Sequence, residues 1–213
     1  MRFYLFGRQG SLSMISDPIM GVLMEINGRP DRGRERRTSG WIAGIFGGYL
    51  FLCFLAPAML PTNTVPELSG RANAIDYFSK DSWGNYDWPE NSEVGHNQSA
   101  HGGTFAWGEL NPLWAFTYAF GDINCHQKHY RSWEINGNQM PVCARDIGIF
   151  LGFALGAALF GWRGLNRWTI RDTFLSVFPD DFLQTTYAND NRTRDMAILL
   201  TLGIVPMAID GFT

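Results

Sequence analysis

From Thr38 to Pro66 the chain carries no charged side chain, and within that stretch WIAGIFGGYLFLCFLAPAML runs from Trp41 to Leu60. About 20 apolar residues in a helix cover roughly 30 Å of hydrocarbon. A run of this length that is apolar all round has no polar face to turn toward water, which argues against a helix of a soluble domain. It also starts too far into the chain for a signal peptide, and no small-residue cleavage site precedes a mature domain. The run therefore predicts a membrane span over 41–60.

Two shorter runs follow. IGIFLGFALGAALFGW, Ile147 to Trp162, is about 24 Å long as a helix, and MAILLTLGIVPMAI, Met196 to Ile209, about 21 Å. Each completes a crossing only by drawing in polar neighbours: Arg145 and Asp146 for the first, Asp210 for the second. They predict spans over 143–162 and 195–213. A fourth apolar segment, NPLWAFTYAF, is too short to span. Asn111 can cap a helix and Pro112 suits its first position, so a short helix over 112–121 is expected. Its aromatic content suggests an interfacial or re-entrant placement. The fold class is thus all-α: a helical multi-pass membrane protein, with three spans and one short interfacial or re-entrant helix in a single membrane domain, 1–213. The lipid bilayer is its first partner. A net charge of -3 excludes the basic bias of nucleic-acid binders, and three cysteines do not make a disulfide-dense secreted scaffold.

The charged residues suggest an orientation. Arg29, Arg32, Arg34, Arg36 and Arg37 precede the first span, and Arg163, Arg167, Arg171, Arg192 and Arg194 follow the second. The segment between those spans is acidic. The positive-inside rule then puts 1–40 and 163–194 in the cytoplasm and 61–140 outside the cell membrane. In the outer loop His96 and His101 read as solvated residues of a Gly-, Asn- and Ser-rich stretch.

Gly40, Gly44 and Gly48 recur every four residues in the first span, and Gly148, Gly152 and Gly156 do so in the second. Small residues at this spacing let helix backbones approach closely in lipid, which predicts a crossing at Gly44 and Gly152. Arg145 falls on the glycine face of the second span. Asp146 and Asp210 lie at similar heights near the outer interface, and an unpaired charge there is costly, so Arg145 is expected to approach Asp210.

Chemistry concentrates at the same level. Cys125 is followed by His126, and Cys143 lies three residues before Asp146, on one face if the helix begins there. The blocks CHQ…RSW, GNQMPVCARDIGIF and the terminal PMAIDGFT resemble those of the domain of unknown function 2085 family, small prokaryotic membrane proteins common in archaea. The resemblance covers about 123–163 and 203–213 and implies a membrane location without an established activity. Lys128-His129-Tyr130 departs from the more usual Arg-Pro-acidic triplet, and Asp146 stands where many relatives have another cysteine. Relatives continue into a further membrane segment, so a truncated sequence is expected.

Three readings remain open. Cys125, His126, Cys143 and Asp146 offer thiolate, imidazole and carboxylate, the ligands of zinc or another transition metal, in a metal or redox site. Cys125 and Cys143 would alternatively form a disulfide on the oxidising side, making the chain a stapled structural subunit or scaffold. Arg145 and Asp210 would instead line a path for a small solute or ion. A homo-oligomer or a larger membrane complex suits each reading. No nucleophile–base pair is legible, so the residues do not establish an enzyme. Cys53 reads as a small core residue of the first span.

Overall fold

A computed structural model describes residues 32–69, 75–167 and 169–212. Six α-helices dominate them: α1 (Gly33–Met59), α2 (Pro112–Asn124), α3 (Ala144–Arg163), α4 (Ile170–Leu175), α5 (Asp180–Ala188) and α6 (Arg192–Phe212). One two-residue hairpin pairs β1 (Glu134–Ile135) with β2 (Asn138–Gln139) in antiparallel register. Among the described residues α1 and α3 are long and apolar enough to cross a membrane. α6 also forms as a helix, with Arg192, Arg194 and Asp195 in its first turn. The chain divides into two compact units, one of 42–155 and one of 1–41 with 156–213.

In the unit 42–155, α1 and α3 run antiparallel. Phe46 stacks on Phe153 at 4.7 Å, while Tyr49, further along α1, meets Phe150, further back on α3, edge-on at 5.2 Å. Tyr49, Leu50, Cys53, Cys125, Met140, Val142, Cys143, Ile147 and Phe150 form one buried cluster. Burying an aromatic or branched side chain of this kind is worth about 1.5–3 kcal/mol against leaving it in water. Cys53 is fully buried in this cluster.

The glycine triplets do not make the contact expected of them. All six glycines are exposed, and a Cβ added to any of them would meet nothing within 4 Å. The close approach within this unit is at Gly47, where an added Cβ would lie 3.7 Å from Cβ of Ala154. The face of α3 turned to α1 carries Phe150, Phe153 and Ala154, and aromatic rings fill the space that a glycine groove would have closed.

Between α1 and α3 there is little regular structure, and side chains satisfy the backbone instead. Asn138 donates to the carbonyls of Pro57 and Pro61 and accepts from the Val65 amide at 2.9 Å. Gln139 accepts from the Leu68 amide and donates to the Gln127 carbonyl, both at 2.7 Å. Asn85 exchanges bonds with Phe105 in both directions. Oδ2 of Asp122 accepts three N–H groups: Asp76 N at 3.0 Å, Tyr77 N at 2.9 Å and Trp107 Nε1 at 2.9 Å. These buried side chains supply the partners that a buried backbone requires. α2 begins as its sequence dictates: the Asn111 side chain accepts from the amides of Leu113 and Trp114, and Pro112 takes the first position. It runs three residues past the expected 121, because Tyr118 and Asp122 on its inner face are buried and anchored.

In the other unit Arg32, only 7% exposed, caps the C-terminal end of α3. Its guanidinium donates to the carbonyls of Trp162, Phe160 and Gly161 at 2.8, 3.0 and 3.1 Å. A cation suits the negative end of a helix dipole. A Cβ on Gly161 would come within 3.0 Å of Cβ of Ser39. Trp41 and Trp162 are both largely exposed, as aromatics at a lipid–water boundary are. Thr169 caps α4 through the Asp172 amide.

Candidate metal or dithiol site

Cys125 ends α2: its amide donates to Gly121 O at 2.7 Å, and its own backbone is extended, at φ -120 and ψ 149. The chain then turns at Gln127, whose φ of 44 lies in the left-handed region, and returns through the hairpin, where Gly137 at φ 69 and Asn136 at φ 55 make the reversal. Gln127 Nε2 donates to Pro141 O at 2.8 Å, which ties the outgoing and returning strands together. Gly121 is required here, since an added Cβ would collide with the Pro141 carbonyl.

The return delivers Cys143 immediately before α3. Its carbonyl accepts the Ile147 amide at 3.1 Å, the first bond of the helix, so Cys143 occupies the capping position. Its amide donates to Sγ of Cys125 at 3.2 Å, and the Gln127 amide donates to the same sulfur at 3.4 Å. Sγ of Cys143 in turn donates to Oδ2 of Asp146 at 3.2 Å, one turn into the helix. Both sulfurs and a carboxylate oxygen of Asp146 lie within 4.8 Å of one another. The cysteines are free thiols, with no disulfide between them. Cys125 is 3% exposed and Cys143 9%.

The electrostatics divide the pair. Hydrogen bonding with Cys143, followed by burial, pushes the Cys125 thiol well above its ordinary range. Hydrogen bonding from Cys125, against the opposing effect of burial, holds Cys143 down to about 7. A sulfur at a helix N-terminus is also a favourable place for a thiolate. The site thus holds one proton-retaining thiol and one thiol ready to ionise.

Of the four ligands expected from the sequence, Cys125, Cys143 and Asp146 come together. His126 is exposed and is not in the group. On the extended backbone at Cys125, successive side chains leave on opposite sides, which separates the two neighbours. The side chain of Asp210 lies outside the described residues, and with it the expected approach of Arg145. Gln127, which the sequence suggests as a turn-shaping residue, does tie the loops together, whereas sequence reasoning missed Gln139, whose amide holds the same loops; its signal was its place inside the GNQMP block.

Two long apolar helices and a polar region between them define the class: a helical protein with two candidate membrane crossings. The family model described as "Predicted membrane protein (DUF2085)" matches residues 125–213, the segment that holds Cys125, Cys143, Asp146 and α3. An uncharacterized protein of Methanocaldococcus jannaschii is 28% identical over 110 residues, covering 50% of this chain and 56% of that protein. The chain therefore matches little more than half of that archaeal relative's length. No solved structure matches.

Proposed function

We propose that this chain is a cell-membrane protein that binds a soft divalent transition metal, zinc being the reference case, through Cys125, Cys143 and Asp146 at the outer face. In this reading α6 is a third crossing, and α2 lies along the outer interface. Residues 1–40 and 163–194 are cytoplasmic. The observation that carries the proposal is that two sulfurs and one carboxylate oxygen lie within 4.8 Å of one another with no disulfide formed. Zinc–sulfur bonds of about 2.3 Å draw such a group in only slightly, and three protein ligands leave a fourth position for water or substrate. The amides of Gln127 and Cys143 would offset the charge on the Cys125 sulfur, as hydrogen bonds around a metal thiolate do.

The second reading is a redox dithiol. It is favoured by the lowered pKa of Cys143 beside a retained thiol on Cys125. An external oxidant would then take two electrons and two protons as the sulfurs join. Elemental analysis of the purified protein, with a free-thiol count in the absence of reductant, separates the two readings. One ion per chain, lost in Cys143→Ser, is the expected result. No metal with a quantitative Cys125–Cys143 bond would replace it with the dithiol reading. Reduced thiols without metal would overturn both.

A further inference from the structure

Outside the thiol group, the unit 42–155 holds a second concentration of metal-binding side chains, on loops whose sequence reads as solvated. The rings of His96 and His101 are 4.0 Å apart between centroids. That of His129 lies 5.2 Å from the first and 5.6 Å from the second. Glu67 closes the group, with Oε2 2.7 Å from Nδ1 of His101. Nε2 of His96 and Nδ1 of His129 are buried from solvent and have no hydrogen-bond partner. Buried polar nitrogens without partners are uncommon, and each calls for an explanation.

Three separate chain segments are held to make this meeting. The His129 amide donates to Leu68 O at 3.0 Å, and Ser69 pairs with Lys128 in an isolated bridge, so His129 is tied next to Glu67. Fully buried Gln98 donates to the carbonyls of Glu67 and Gly103, both at 2.9 Å. The His96 carbonyl accepts from the Trp88 amide, and Asp87 pairs with Asn97.

We propose that His96, His101 and His129 form a tri-imidazole site for a divalent transition metal of the zinc class, with the Glu67 carboxylate orienting His101. The unpartnered Nε2 of His96 and Nδ1 of His129 are two of the ligand atoms. Glu67 occupies Nδ1 of His101 and leaves Nε2 as the third. A carboxylate behind a ligating imidazole fixes its tautomer and orientation. An ion held there would take nitrogen bonds of about 2.0–2.1 Å, and three imidazoles would leave a fourth position for water.

The site is independent of the thiols, and the test keeps the two apart. The intact chain in detergent is titrated with Co²⁺ and followed by visible absorption. The titration is repeated in Cys125→Ser/Cys143→Ser, where sulfur-to-cobalt charge transfer is absent. One equivalent of Co²⁺ should still bind in this double-serine protein. Its affinity should fall at least 100-fold in His96→Gln/His129→Gln, and about 10-fold in Glu67→Gln, the range for loss of such a supporting carboxylate. Thermal unfolding of each variant identifies any that have lost the fold. Glu67→Gln alters only a half-exposed pair, so it decides the matter if the double histidine variant unfolds. Absence of saturable Co²⁺ binding in the folded double-serine protein would overturn the site. So would unchanged affinity in folded His96→Gln/His129→Gln or in Glu67→Gln. A metal bound only through sulfur would support the thiol site and remove this one.

Discussion

The helix pair and the connecting region between α1 and α3 meet the same requirement by opposite means. In α1 and α3 the interior backbone is satisfied within its own helix, apart from the one bond that Pro57 cannot donate, so side chains are left free to be apolar and exposed, as Ile45, Phe51, Leu155 and Leu159 are. In the connecting region the partners of the backbone are side chains distant in sequence, such as Asn138 bonded to Pro57 and Val65. The first arrangement tolerates exchange of one apolar residue for another. The second depends on a few polar atoms, each at a particular place. Substitutions in the connecting region should therefore cost far more per atom removed than those on the outer faces of the helices.

The sharpest test is Asp122→Ala. It takes one acceptor from the amides of Asp76 and Tyr77 and the indole of Trp107. At about 1–3 kcal/mol for each donor left unsatisfied, unfolding in denaturant should show a loss of about 3 kcal/mol or more. Asp122→Asn keeps an oxygen and should cost much less. Burial raises the Asp122 pKa, with the three donors opposing. A carboxyl raised in the folded state favours folding while protonated, and that contribution is lost as pH rises through the folded value. Asp122→Asn should therefore flatten the fall in stability on that side. An alanine variant as stable as the parent would end the contrast between the two regions.

Asn138→Ala should follow, at about 2 kcal/mol, because it strips partners from Pro57, Pro61 and Val65 in a fully buried position. The measurement is the same unfolding midpoint. A third test uses reactivity. Alkylation of Cys143 should show a midpoint near pH 7, and Cys125→Ala, which removes the hydrogen-bonding partner, should raise that midpoint toward the ordinary thiol range. A midpoint restored to the free-thiol value of about 8.5 would cut the thiolate fraction at neutral pH from about one half to roughly 3%. A midpoint unmoved by Cys125→Ala would mean that the helix terminus alone sets it. The smallest effect belongs to the open glycine face of the helices, where Gly152 meets nothing within 4 Å. Gly47→Leu should cost about 1–3 kcal/mol by overpacking against Ala154, whereas Gly152→Leu should stay within about 0.5 kcal/mol. A large loss at Gly152 would show that its open face is covered by another chain.

The same contrast explains what can be read from the sequence. The run Trp41–Leu60 announces α1, because hydropathy along one helix is local. The helix begins earlier, at Gly33, since a helix does not stop where lipid does. Asn111 and Pro112 announce the start of α2 for the same local reason. Cys125, Cys143 and Asp146 are legible as a group because two compact blocks carry them. Glycine spacing is visible in a sequence, and it points to a crossing of α1 and α3 at Gly44 and Gly152. The stacking of Phe46 on Phe153, which moves the contact to Gly47, is not visible there. The histidines are illegible for a stronger reason: Glu67, His96, His101 and His129 share no period or motif, and only the amide-held loops bring them together.

The cap that Arg32 places on α3 has a consequence for how the chain is made. Its acceptors, the carbonyls of Phe160, Gly161 and Trp162, are 128 to 130 residues further along the chain. At about 5–20 residues per second, a ribosome reaches them roughly 6 to 26 s after it has made Arg32. Throughout that interval the arginine has none of these partners and must remain hydrated, or paired with lipid phosphate. When α3 arrives, Arg32 exchanges those partners for the helix end. An early, waiting charge therefore gains its final partners only when the end of α3 has been made.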